Sequence, residues 1–277
     1  MDKQTYMKIP KAEHFDPDLV FDCGQAFRFE KKDGVWQGVA LGRLLSVYAK
    51  DGEIYINCTP EEYEGIWKKY LSLQEDYEAI NRDILQRVKT PVMPLAIEKG
   101  DGIRLLRQEP WEALCSFIIS QNNNIPRIRS AVDALCKRAG EPFTYLGETY
   151  YRFPTPRAVL DIGEEGLRQL KVGFRAPYII GAARAVEEGI IDLEHIRRDC
   201  SYEQGVEELC RLKGVGPKVA SCVLLFSLDK TDAFPVDVWV KRIIDKYFDG
   251  HIDIPSLGRY AGIAQQYLFY YERYQNQ

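Results

Sequence analysis

The spacing of apolar positions changes character once along the chain. Ala26-Phe27-Arg28-Phe29, Val35-Trp36-Gln37-Gly38-Val39, Leu44-Leu45-Ser46-Val47-Tyr48 and Ile54-Tyr55-Ile56 are short aromatic or β-branched runs. Asp33-Gly34 and Asp51-Gly52 fall between them, and Asp-Gly between such runs signals a tight hairpin turn. An antiparallel meander is therefore predicted at the start of the chain. Residues from Pro60 to about Val88 read as helical, and Thr90-Pro91-Val92-Met93-Pro94 reads as a boundary. Beyond it the period is helical. Pro110 opens a helix through Ile119, Asn122-Asn123-Asn124 stops it, and Ile128, Val132 and Leu135 recur at helical spacing up to Gly140. Further helices are expected over Pro177 to Glu188, stopped by Gly189, over Tyr202 to Leu212, from Pro217, from an Asp237 cap through Phe248, and from Ser256 or Leu257. The expected fold is α+β. Residues 1–94 form an antiparallel β-sheet module with helices, and residues 95–277 an all-helical domain.

Composition narrows the class without changing that picture. With 45% hydrophobic, 28% charged and 12% aromatic residues in 277, the chain is a folded globular protein rather than a disordered or fibrous one. No apolar run approaches the ~20 residues that span a bilayer. The opening MDKQTYMKIP lacks both a signal-peptide core and an Arg-rich transit pattern. The expected location is the nucleoid-containing cytoplasm of a bacterium or the nucleus of a eukaryote. Seven scattered cysteines, an odd number with no close pair, exclude a disulfide scaffold, a CxxC zinc site and an iron–sulfur cluster. No metal site is expected. A net charge of −4 excludes a basic coat protein, so any nucleic acid must be held by placed groups rather than bulk charge.

The chemistry concentrates in Leu212-Lys213-Gly214-Val215-Gly216-Pro217-Lys218-Val219-Ala220 and in Phe234-Pro235-Val236-Asp237. Gly214 and Gly216 flank one apolar residue between two helices. Such a turn brings backbone close to a partner, and the N–H groups there converge on an anion. A clamp on one phosphate and an ordinary helix–helix turn both satisfy this spacing. Lys218 stands in the first turn of the new helix, where the dipole and partial burial lower an amine's pKa and favour a nucleophile. A solvated surface lysine is the alternative. Asp237 is read as a helix cap whose carboxylate is held in place by the bonds it accepts. Cys222 lies four residues after Lys218 on the same helix face.

The motif L-x-G-V-G-x-K-V-A followed by F-P-V-D, with lysine and aspartate 237 − 218 = 19 positions apart, resembles the helix-hairpin-helix DNA glycosylases. The hairpin would fall at about residues 203–228. A lysine at position 218 is similar to the bifunctional glycosylase/lyase members, and the chain most resembles the 8-oxoguanine DNA glycosylase family. Gly24-Gln25-Ala26-Phe27-Arg28, Arg104-Leu105-Leu106-Arg107-Gln108, Ser120 to Ile125, Gly173-Phe174-Arg175-Ala176, and Tyr260-Ala261-Gly262 with Ala264-Gln265 and Leu268-Phe269 resemble its signature stretches in order.

The resemblance implies that Lys218 attacks C1′ of the damaged nucleotide while Asp237 stabilises the cationic sugar. It implies that the Gly24 carbonyl reads the extra N7 hydrogen of 8-oxoguanine, that Gln265 bonds the base's Watson–Crick edge, and that Phe269 and Cys222 stack on its two faces. Asn122 would fill the gap in the duplex, Arg127 and Arg175 would read the estranged cytosine, and Phe174 would wedge the kinked step. Three departures stand out: Trp239 where eukaryotic members carry histidine, Phe174 in place of their tyrosine, and Glu272 in place of an aspartate. The implied function is excision of 8-oxoguanine, preferably opposite cytosine, from double-stranded DNA, with cleavage at the abasic site. No cofactor is required, the hairpin leaves room for a structural monovalent cation, and a monomer is expected. A helix-hairpin-helix glycosylase for another oxidised or alkylated base, and a non-catalytic DNA-binding hairpin, are the competing functions.

Overall fold

The computed structural model describes residues 5–9 and 14–274, so part of the opening decapeptide lies outside the described residues. The chain runs β1 (Met7–Lys8), α1 (Pro17–Asp22), β2 (Phe29–Lys32), β3 (Val35–Ala40), β4 (Arg43–Lys50), β5 (Glu53–Ile56), α2 (Pro60–Glu62), α3 (Lys68–Tyr70), α4 (Tyr77–Arg87) and α5 (Val92–Lys99). It continues α6 (Pro110–Ser120), α7 (Ile125–Ala139), β6 (Pro142–Tyr145), β7 (Glu148–Tyr151), α8 (Pro156–Arg168), α9 (Ala176–Glu187), α10 (Leu193–Asp199), α11 (Tyr202–Cys210), α12 (Pro217–Ser227), α13 (Val238–Tyr247) and α14 (Ala261–Arg273).

The meander is antiparallel in the order β1-β5-β4-β3-β2. Asp33-Gly34 (φ 49° and 80°) and Asp51-Gly52 (52° and 75°) make the tight turns the sequence predicts. Leu41-Gly42 (50° and 71°) and Leu146-Gly147 (51° and 85°) adopt the same left-handed pair without any such signal, since leucine gains nothing there to offset its Cβ strain. The second of these closes the β6–β7 hairpin, so the C-terminal domain is largely rather than wholly helical.

The expected first strand also starts later, at Phe29. Residues 25–28 are instead tied to the other domain. Gln25 donates to Arg104 O at 2.9 Å and accepts from Leu106 N at 2.8 Å, while Arg28 pairs with Glu112 at 3.3 Å. The boundary expected at residues 94 and 95 falls inside α5. Tyr77, Ile80 and Ile84 of α4 and Val92, Met93 and Ala96 of α5 join the larger helical core, whereas the smaller core holds the sheet, α1 and residues around Trp67 and Leu71. Propensity is local and cannot tell which of two cores an amphipathic helix will cover.

Candidate active site and DNA-binding face

Four elements bring their ends to one place. Asn124 caps α7 by accepting from Arg127 N at 3.0 Å, which leaves Gln121 to Asn123 as a protruding loop after α6. Asp237 caps α13 as predicted, its Oδ1 accepting from Trp239 N at 2.9 Å and Val240 N at 2.8 Å. No other hydrogen bond to its side chain occurs among the described residues, so Oδ2 is left over. Gly216 caps α12 with no side-chain bond, and Lys218 follows in the first turn. Helix α14 completes the group with Gln265 and Phe269.

Lys218, Asp237, Cys222, Gln265, Phe269 and Gly24 line one cavity of about 60 Å³. It opens into a groove of about 760 Å³, the two sharing Gly24, Phe117, Lys218, Asp237 and Phe269 as walls. Asn122 and Trp239 line the far part of the groove. A wider cleft of about 630 Å³ at the opposite end of α6, lined by Glu109, Trp111 and Asp192, holds none of these residues.

The cavity is apolar except where chemistry is required. Burial pushes the Cys222 thiol up in pKa, and the neighbouring Lys218 ammonium pulls the other way without prevailing. Burial also raises Cys23, which lines the same space, to about 11. Both are neutral thiols at physiological pH. Gln265 is 4% exposed, yet its Oε1 has no hydrogen-bond partner. An orphaned buried carbonyl costs about 1–3 kcal/mol unless a ligand satisfies it. Lys218 forms no ion pair with Asp237, and its Nζ sits 5.9 Å from the centre of the Phe117 ring.

The Gly24 backbone is locked into this wall. Gln266 Nε2 donates to Cys23 O at 2.8 Å, and Gln108 Nε2 donates to Gln25 O at 2.8 Å. Gly24 itself has φ +84°, a conformation side chains disfavour. The signature stretches at residues 24–28 and 104–108 are thus two halves of one hydrogen-bonded brace.

The two hairpin glycines are required for different reasons. Gly214 has φ +85°, and a Cβ there would lie 2.2–2.7 Å from carbons of the Tyr178 ring. At Gly216 a Cβ would meet nothing within 4 Å. We therefore expect G214A to lose about 2–4 kcal/mol of folding stability through overpacking and strain. G216A should melt like the wild type, because its methyl group meets nothing within 4 Å, and should weaken DNA binding if the turn holds the phosphate that the sequence motif implies. Thermal melts alongside binding titrations check both; equal melting temperatures for the two variants would refute the distinction.

On the groove's rim, Phe174 is 51% exposed, as a wedge must be. Asn122 is exposed and holds a left-handed φ of 46°. Arg127 is exposed and makes no side-chain hydrogen bond or ion pair among the described residues. Arg175 departs from expectation. It is 6% exposed, and its guanidinium donates to the carbonyls of Gln121, Asn122 (3.0 Å) and Val172 (3.1 Å). Its donors hold the Asn122 loop rather than pointing outward to a base, because the loop after α6 leaves carbonyls that need partners. Glu272 is likewise engaged, with Lys246 at 3.1 Å and Tyr247 at 3.0 Å, outside both the cavity and the groove. Sequence reasoning missed Cys23, Phe117 and Gln266. Of these only Cys23 carried a signal, its adjacency to Gly24.

Comparison with known proteins agrees with this geometry. Residues 7–114 match the N-terminal domain of 8-oxoguanine DNA glycosylase, and residues 115–253 match the HhH-GPD superfamily of base excision DNA repair proteins. The chain is 30% identical to the N-glycosylase/DNA lyase OGG1 of Arabidopsis thaliana over 281 residues, covering 91% of this chain and 75% of that protein. It superposes on MBOgg1, solved with a low-affinity DNA ligand, with a TM-score of 0.92 at 36% identity, covering 100% of this chain and 98% of that one. It also superposes on the 8-oxoguanine glycosylase/lyase of Clostridium acetobutylicum, solved with double-stranded DNA containing cytosine opposite 8-oxoguanine. There the TM-score is 0.88 at 34% identity, with both chains covered in full. The chain belongs to the 8-oxoguanine DNA glycosylase family, within the HhH-GPD superfamily.

Proposed function

We propose that this protein is an N-glycosylase/DNA lyase that removes 8-oxoguanine opposite cytosine in base excision repair. The observation that carries the proposal is the convergence of Lys218, Asp237 and the unpartnered Gln265 Oε1 on one cavity at the edge of an open groove.

The base must first leave the duplex stack. Asn122 and Phe174 hold the duplex open, Arg127 reads the estranged cytosine, and Arg175 fixes the loop that carries Asn122. The backbone N–H groups following Gly216, uncapped by any side chain, grip a backbone phosphate. Within the cavity Gln265 Oε1 accepts from the base's Watson–Crick edge, and the Gly24 carbonyl accepts the N7 hydrogen that guanine lacks. The Lys218 amine attacks C1′. The bond between C1′ and N9 breaks, its electron pair leaves with the base, and the base takes up a proton. Asp237 Oδ2 stabilises the positive charge that develops on the sugar. The attached amine loses a proton, its lone pair forms the C1′=N imine bond as the C1′–O4′ bond breaks, and the departing O4′ oxygen takes up a proton. Removal of a C2′ proton then expels the 3′ phosphate.

A panel of duplexes with 8-oxoguanine opposite each of the four normal bases, plus an undamaged guanine control, tests the reading. Release should be fastest opposite cytosine and undetectable for guanine. Equal processing of guanine, or no release of 8-oxoguanine, would overturn it.

A further inference from the structure

Helix α14 presents three residues at intervals of four: Gln265, Phe269 and Arg273. Four residues advance a helix by about 6 Å while keeping nearly one face, so these side chains form a ladder. The lowest rung, Gln265, is buried in the cavity with its unpartnered oxygen. The middle rung, Phe269, walls both cavity and groove. The top rung, Arg273, lines only the groove, at the cavity's mouth. Its Nη1 would lie 3.5 Å from a Cβ placed on Gly24.

Arg273 has no acceptor. Its guanidinium lies 5.9 Å from the Phe269 ring centre and 5.0 Å from that of Tyr274, and no carboxylate or carbonyl bonds it among the described residues. Arg242 over Trp239 and Arg259 over Tyr260 are stacked in the same way, but neither lines the cavity or the groove, whereas Arg273 does. A guanidinium held on aromatic faces at a pocket mouth keeps all its donors for a partner, and its planar fork matches phosphate.

We infer that Arg273 is a binding residue that grips a backbone phosphate of the everted nucleotide. The inference rests on the reading that the cavity holds an extrahelical base. With the base edge on Gln265 and the base face on Phe269, the sugar and its phosphate stand at the level of the third rung. A phosphate still stacked in the duplex does not reach it. Arg273 therefore favours the everted state over the stacked one, and this distinguishes it from contacts along the rim.

The test uses the full chain and the variants R273A, R273Q and R273K. Binding is titrated against salt on two duplexes, one undamaged and one carrying 8-oxoguanine, with base release measured in single turnover. R273A and R273Q should bind the lesion duplex about tenfold more weakly and lower its salt slope by about 0.9, the value for one phosphate contact. The undamaged duplex should be unaffected, and R273K should recover most of the slope. A slope unchanged on the lesion duplex, or lowered equally on both, would overturn the assignment. Wild-type protein that releases no 8-oxoguanine would instead overturn the proposed function, so the two failures are separable.

Discussion

The K218Q variant should form no borohydride-stable adduct with lesion-containing DNA, and base release should fall by about 10⁴- to 10⁶-fold, the range for loss of a nucleophile. Glutamine keeps a polar chain of similar length but has no amine able to add to C1′ and become an imine. The surroundings make the substitution clean. Lys218 is half-buried, forms no ion pair among the described residues, and has the Cys222 thiol and, at 5.9 Å, the Phe117 ring beside it, so its loss strands no buried charge. The turn at Gly216, the proposed phosphate grip, lies outside the change, so DNA affinity should stay close to that of the wild type. Trapping on gels, with a binding titration beside it, reads both effects. An adduct formed in undiminished yield by K218Q would assign the nucleophile elsewhere.

The second large effect is expected from D237N, which should release base about 10²- to 10³-fold more slowly, as when one preorganised electrostatic group is removed. Asparagine is as good a helix cap as aspartate. Its carbonyl oxygen can take over both bonds now accepted by Oδ1 from Trp239 N and Val240 N. Helix α13 should therefore remain in place, and the melting temperature should hardly move. What disappears is the carboxylate on the cavity wall. D237A should lose the cap as well, at about 1 kcal/mol of stability. Single-turnover rates and melting curves of the two variants separate the roles; normal release by D237N would leave Asp237 a cap and nothing more.

How far the site could be read in advance follows from what each residue does. Lys218 and Asp237 sit at helix starts, where proline, glycine and a capping carboxylate leave marks in the sequence. Their convergence was legible from a motif rather than from spacing alone. Arg175 was read as an outward reader of a base because its type suits that task. Type alone does not reveal that three carbonyls at the end of α6 and before α9 claim its donors first. Phe117 belongs to a helix buried on nearly every side, so nothing in its pattern separates a cavity wall from core. Arg273 was passed over because an arginine in the last turn of a helix has an ordinary role, complementing the dipole. Its meaning comes from the two rungs below it.

The same division holds for the fold. The Asp-Gly turns, the helix stop at Asn122 to Asn124 and the helix cap at Asp237 are local, and the sequence by itself determined them. So too were the change from sheet to helix and the presence of a lysine and an aspartate competent for sugar chemistry. Tertiary structure alone decided which core α4 and α5 would cover. It also decided that Gln25, Gln108 and Gln266 would brace the Gly24 wall, and that a buried amide oxygen would be left waiting at the floor of the cavity. The reason is that local preferences act over one or two turns of chain, whereas the cavity is built by segments up to 246 positions apart, from Cys23 to Phe269 (269 − 23), and only packing brings such segments together.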